Sequence, residues 1–237
     1  GFLSQEKFQK HYVADLFTPA DLVKLFRRLL VIADFSEGKL FMPALLPVLE
    51  EEKVHKSRVA ADSPAAALAL DFPLGGPRLG TFCTLACFLV SNSNQSPRPW
   101  KVVLLPGSNT PACLYRNCVR YSVPRFPGTI TVIDTFTHFE VHVHTSPKVV
   151  SKLCSQVRQA IFAGLKQATL TLGYNNSIPS AATLCPCSVG SAHIATTANS
   201  VWTCSKEPAR FGDLEPQHLI WEDNSTTAPS KGMFVIL

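Results

Sequence analysis

Two sets of side chains have the types and spacing to do chemistry. The first is His138, Glu140, His142 and His144. In a strand, alternate residues face one way with about 6.6–6.8 Å between i and i+2, which would gather three imidazoles and a carboxylate on one face. Such a face can hold a zinc ion with help from a neighbouring strand, and with an open coordination position it would serve a small metal-dependent hydrolase. The plainer reading is the solvent side of an antiparallel sheet, with Arg116 or Arg120 opposite Glu140 as a cross-strand ion pair.

The second set is Cys185, Cys187, His193 and Cys204, with His218 further along. Thiolate and imidazole are the ligands zinc prefers, and a loop-rich stretch with little apolar patterning is where a metal substitutes for a core. Four protein ligands leave no place for water, so zinc here would be structural and the chain a zinc-binding recognition module. The Cys-x-Cys spacing is tighter than the usual finger, and the competing reading is free thiols in an extended tail.

Other chemistry finds no support. There is no Gly-x-x-x-x-Gly-Lys-Ser/Thr loop, no kinase signature and no Gly-x-Ser-x-Gly elbow, so no nucleotide-binding or catalytic residue is assigned. Cys113 and Cys118 flank Tyr115-Arg116-Asn117 with no helix N-terminus or base in view to lower a thiol pKa. The expectation is a protein that is not an enzyme.

The elements that must position these residues follow from pattern. With 46% hydrophobic and 16% charged residues over 237 positions, the chain folds around a real core and is long enough for more than one domain. Thr18-Pro19-Ala20-Asp21 opens a helix that buries Leu22, Leu25, Phe26, Leu29 and Leu30, and a turn at 36–39 leads to an extended Leu40-Phe41-Met42. Residues 1–60 therefore read as a winged-helix-like helical unit, with a boundary between 51 and 64.

Residues 64–180 read as an α+β domain: a strand over 65–72, a helix over 78–90, strands over 100–105, 115–123 and 129–144, and a long helix capped by Ser146-Pro147 and stopped by Gly173. Each helix has one apolar stripe, so both must lie on one face of an antiparallel sheet. Residues 181–237 read as the loop-rich tail.

The net charge of +5 is scattered, so nucleic acid is not an expected partner. No apolar run approaches a membrane span. Gly1-Phe2-Leu3 and the apolar Phe234-Val235-Ile236-Leu237 read as cuts within a larger protein. Eight cysteines are too few for a disulfide scaffold, which points to a reducing, cytoplasmic setting, although Asn94, Asn175 and Asn224 begin glycosylation triplets.

The segment Leu22 to Leu49, with Leu40-Phe41-Met42-Pro43-Ala44-Leu45-Leu46-Pro47, resembles the end of the first half of a COR domain, the C-terminal-of-Roc module of Roco proteins. The strand ending in Pro73-Leu74-Gly75-Gly76-Pro77, the helix through Gly80-Thr81-Phe82, Trp100, Tyr115-Arg116-Asn117 and the helix after Pro147 look like its second half, so the resemblance spans about residues 16–220. The turn from Gly75 to Gly80 is longer than the family's usual Leu-Pro-x-Gly-aromatic. The resemblance implies a non-catalytic interaction and dimerisation module of a signalling protein. Its partners would be protein domains, a second copy, and an adjacent Roc-like GTPase or related NTPase domain whose state it relays.

Overall fold

The computed structural model describes residues 2–4, 18–35, 39–50, 66–73, 75–91, 100–103, 113–123, 127–146, 148–174, 178–182, 184, 196–198, 201–203 and 210–211. The fold is α+β, with helices beside antiparallel sheets. Among the described residues no helix is long and apolar enough to cross a membrane.

The N-terminal unit holds β1 (Phe2–Ser4), α1 (Pro19–Arg28), β2 (Ala33–Asp34), β3 (Lys39–Phe41) and a short 3-10 turn, Pro43–Leu45. Its strands form an antiparallel sheet in the order β1-β3-β2. The opening of α1 is as expected: the Asp21 N–H donates to Thr18 Oγ1 at 3.2 Å, and the Thr18 hydroxyl donates to the Asp21 carboxylate at 2.6 Å. That hydroxyl holds the Asp21 carboxyl below its usual range.

The end of α1 differs from expectation. Leu30 has a φ of 53°, its N–H donates to the Arg27 carbonyl (3.1 Å), and the Val31 N–H donates to the Phe26 carbonyl (2.9 Å). This is the Schellman closure, with leucine where glycine is usual, so the helix stops at Arg28 without a sequence signal. The buried stripe runs through Leu22, Val23, Phe26 and Leu30, while Leu25 and Leu29 are each 39% exposed. Among the described residues this unit has one α-helix, and the winged-helix shape remains an expectation.

The larger sheet has seven antiparallel strands: β4 (Ala66–Asp71), β5 (Lys101–Val102), β6 (Leu114–Tyr115), β7 (Cys118–Ser122), β8 (Thr129–Asp134), β9 (His138–His144) and β10 (Ser180–Ala182). The order is β10-β4-β9-β8-β7-β5, with β6 paired to β7. α2 (Thr81–Val90) and α3 (Val150–Leu172) share one core with Leu68, Leu70, Val119, Tyr121, Ile130, Val132, Phe139, Val141 and Val143. By strand alternation these residues all lie on one face, so both helices cover the same side. Phe72 and Phe82 meet Phe139 edge-on at 5.0 and 5.5 Å.

Gly164 is where the helices touch. A Cβ there would lie 2.6 Å from Leu85 Cδ1 and 2.8 Å from Phe88 Cδ1, so α2 and α3 approach closer than any larger residue allows. Leu30, Ala33 and Phe41 of the N-terminal unit join this same core.

Four expectations are corrected. The strand expected over 115–123 is broken by a turn at Arg116-Asn117, and β6 folds back onto β7. The strand expected over 129–144 is two strands joined by a hairpin at Thr135–Thr137, a turn that lacks glycine and proline because Phe136 itself takes the left-handed conformation. α2 begins at Thr81 instead of Arg78, since Gly80 with a φ of 86° occupies the N-cap, and Leu79 lies outside the helix. Ser146 does not cap α3; Val149 stands at the cap without a side-chain bond, and Gly173 ends the helix as expected.

The stretch after 180 is not all loop. β10 extends the large sheet through β4, and β11 (Thr196–Ala198), β12 (Val201–Thr203) and β13 (Arg210–Phe211) form a separate three-stranded antiparallel sheet. The expected boundary over 51–64 lies outside the described residues.

Candidate functional site

The alternation of β9 is as expected, but its polar face is buried. His138, Glu140 and His142 are 3, 0 and 5% exposed, so the expectation of a wet face is corrected. Glu140 stands opposite Ala69 on β4 and Ile133 on β8, whereas Arg120 pairs in register with Thr131 and donates from Nε to its hydroxyl at 3.1 Å. Arg116 sits in the β6–β7 turn. Neither arginine is the cross-strand neighbour of Glu140; His142 on its own strand is a hydrogen-bond partner, and His138 lies beside it.

Glu140 Oε2 lies 2.8 Å from His142 Nε2, and Oε1 lies 3.3 Å from His138 Nε2. His138 Nδ1 is within 3.1 and 2.9 Å of the Thr135 and Thr137 hydroxyls. A carboxylate removed from water is tolerated when its oxygens are bonded, and His142 Nε2 bonds Oε2, whereas His138 Nε2 faces Oε1 without forming a hydrogen bond. The two Nε2 atoms are each turned onto a different carboxylate oxygen. Among the described residues no group of three or more His, Cys, Asp or Glu is arranged to hold a metal ion. His144, expected in the same set, is half-buried at the strand's end.

A second feature was not visible in the sequence. A crevice of about 220 Å³ opens between the turn before α2 and the β8–β9 hairpin, lined by Val48, Leu79, Phe82, Cys83, Arg116, Asn117, Asp134 and Phe136 among others. Leu79 and Phe136 are 82% and 65% exposed. Phe136 has a φ of 69°, a conformation that bulky residues rarely adopt. It is held there by the Phe136 N–H donating to Asp134 Oδ1 (2.7 Å) and by the Thr135 N–H donating to the His138 carbonyl (3.0 Å). The Phe136 carbonyl comes so close to Gly76, whose φ is +151°, that a Cβ there would sit 2.7 Å from it.

Burial raises the Asp134 carboxyl to about 6, against the lowering pull of the Phe136 N–H, His138 and Arg116. Burial also pushes up the Cys83 thiol beside it, so Cys83 is a poor nucleophile. Cys87 rises well above its usual value and Cys154 goes up to about 12, both from burial. Cys113 goes the other way. A hydrogen bond from Cys118 lowers it, burial opposes, and the Arg120 cation assists. No local pattern signals this, because the proximity of Cys113 to Cys118 depends on a turn at Arg116-Asn117.

Cys185, Cys187, His193 and Cys204 lie outside the described residues, as does His218. No protein-family model and no curated protein matches the chain.

Proposed function

We propose that this chain is a non-catalytic contact module of a larger signalling protein, one that pairs with a second copy of itself through the crevice beside Phe136. The observation that carries the reading is Phe136, an aromatic 65% exposed to water and held in a left-handed backbone conformation. Such strain costs on the order of 1–3 kcal/mol and tends to persist where it serves a site. Leu79, 82% exposed across the same crevice, adds to the apolar rim.

A two-fold dimer needs one patch that complements itself. Here the projecting ring and the cavity that can receive it belong to the same patch. Arg116 and Asp134 also line that crevice, so a two-fold contact brings the cation of one copy to the acid of the other. The resemblance to COR domains supplies the wider role, in which such pairing relays the state of an adjacent GTPase or related NTPase domain.

The test is a set of variants in the 237-residue chain. Phe136→Asp and Leu79→Asp each put a charge into the proposed contact and should abolish self-association. Leu170→Asp, on an α3 residue 67% exposed outside the crevice lining, should leave it intact. Equal association in all three variants would overturn the reading.

A further inference from the structure

We propose that Cys113 and Cys118 form a thiol–disulfide modification site, oxidised by hydroperoxides, that locks the turn holding the segment 47–49 against the large sheet. β6 and β7 are joined by Arg116 and Asn117, with Tyr115 paired to Cys118 and Leu114 to Val119. Cys113 lies one residue before β6, where its carbonyl accepts from the Arg120 N–H at 3.1 Å. This tight hairpin brings the two sulfurs to 3.3 Å. A disulfide needs about 2.05 Å, so only about 1.3 Å of approach separates the thiol pair from the bond.

The two thiols share a small apolar cluster with Leu49, Ile133 and Tyr115. Cys118 is fully buried and Cys113 is 6% exposed, so Cys113 is the sulfur an oxidant reaches first. It is also the one favoured as thiolate, with the Cys118 S–H donating to it and the Arg120 cation nearby. The other described cysteines, Cys83, Cys87 and Cys154, are free and held protonated by burial.

The chemistry balances with one equivalent of hydrogen peroxide. The Cys113 thiolate attacks a peroxide oxygen; the S–O bond forms, the O–O bond breaks and hydroxide leaves. Cys118 sulfur then attacks the sulfenic sulfur of Cys113; the S–S bond forms and the S–O bond breaks. The departing hydroxides take the two thiol protons as water, so two thiols and one peroxide give one disulfide and two waters.

What the bond would fix is a clasp. The Arg116 N–H donates to the Pro47 carbonyl at 2.8 Å, and the Asn117 side chain bonds both backbone groups of Leu49. All three bonds come from Arg116 and Asn117, the two turn residues of the hairpin between the cysteines, so closing Cys113 onto Cys118 stiffens the turn that makes them.

The experiment treats the full 237-residue chain with hydrogen peroxide at one equivalent, unfolds it, alkylates the remaining thiols and digests with trypsin. Cleavage after Arg116 separates the Cys113 peptide from Asn117–Arg120 when the thiols are reduced. The expected product is those two peptides joined, about 2 Da lighter than their sum, and separated again by dithiothreitol. Cys87 and Cys154 stay alkylated. In Cys118→Ser the sulfenic acid on Cys113 should persist and be trapped by dimedone. The proposal fails if Cys113 and Cys118 stay alkylated at peroxide doses that oxidise Cys87 or Cys154, or if Cys113 joins other cysteines as readily as Cys118. Should Cys118→Ser not fold, the wild-type digest alone decides.

Discussion

Asn117 grips Leu49 by both of its backbone groups: the Leu49 N–H donates to Asn117 Oδ1 at 2.7 Å, and Asn117 Nδ2 donates to the Leu49 carbonyl at 3.1 Å. The two residues are 68 positions apart and both are buried. Asn117→Ala therefore strands a buried donor and a buried acceptor, and should cost about 2–4 kcal/mol in urea unfolding. Hydrogen exchange at Leu49 should accelerate more than at core amides of α3. Uniform acceleration throughout would mean that Asn117 is not a local clasp.

Asp134 makes stability fall as pH rises. Its carboxyl titrates near 6 in the fold and near 3.8 when unfolded, so between those values the folded chain binds more protons. The contribution is fully present below about pH 4, is lost as pH rises through 6, and amounts to roughly 3 kcal/mol at most. Asp134→Asn keeps an acceptor for the Phe136 N–H and removes the ionisation. Urea unfolding should find the variant equal to wild type near pH 4 and more stable at pH 7–8. A difference that does not change with pH would refute the assignment.

Glu140 should be indispensable alone and replaceable together with its partners. Glu140→Ala leaves His142 Nε2 buried without its hydrogen-bond partner and should cost about 1–3 kcal/mol. Replacing all three with apolar residues of similar volume should recover most of that loss, because a buried charge cluster often adds little over good packing. Chemical denaturation of the single and triple variants checks this; a triple variant no better than Glu140→Ala would contradict it.

Tyr121 packs edge-on against Trp100, with ring centroids 5.5 Å apart, and its hydroxyl has no hydrogen-bond partner among the described residues. Tyr121→Phe keeps the ring and removes an unsatisfied polar group, so it should be neutral or stabilising by about 1 kcal/mol. A thermal midpoint that falls by several degrees would show that the hydroxyl is bonded.

The periodic elements were legible in the sequence, and the local exceptions were not. Thr18-Pro19-Ala20-Asp21 predicted the start of α1, Gly173 the end of α3, and the alternation through Phe139, Val141 and Val143 placed β9 with its core face. Each of these rests on a residue type whose chemistry suits one conformation. Two of the misses occur where a residue adopts a conformation foreign to its type. Leu30 ends α1 and Phe136 turns the β8–β9 hairpin, both with positive φ and neither signalled by glycine.

The site followed the same division. His138, Glu140 and His142 were found because a strand fixes their common face, yet their burial depends on tertiary packing that alternation does not encode. The crevice at Phe136 and the pairing of Cys113 with Cys118 need the hairpin turns first, and those turns were missed or shifted.

The molar mass of the 237-residue chain, measured by light scattering behind size exclusion over a wide concentration range, reports self-pairing without an intermediary. Self-pairing through the crevice gives a mass that climbs from 25.9 kDa toward twice that value as concentration rises, and that stays at 25.9 kDa in Phe136→Asp. A wild-type chain that remains monomeric at the highest concentration would contradict self-pairing through the crevice.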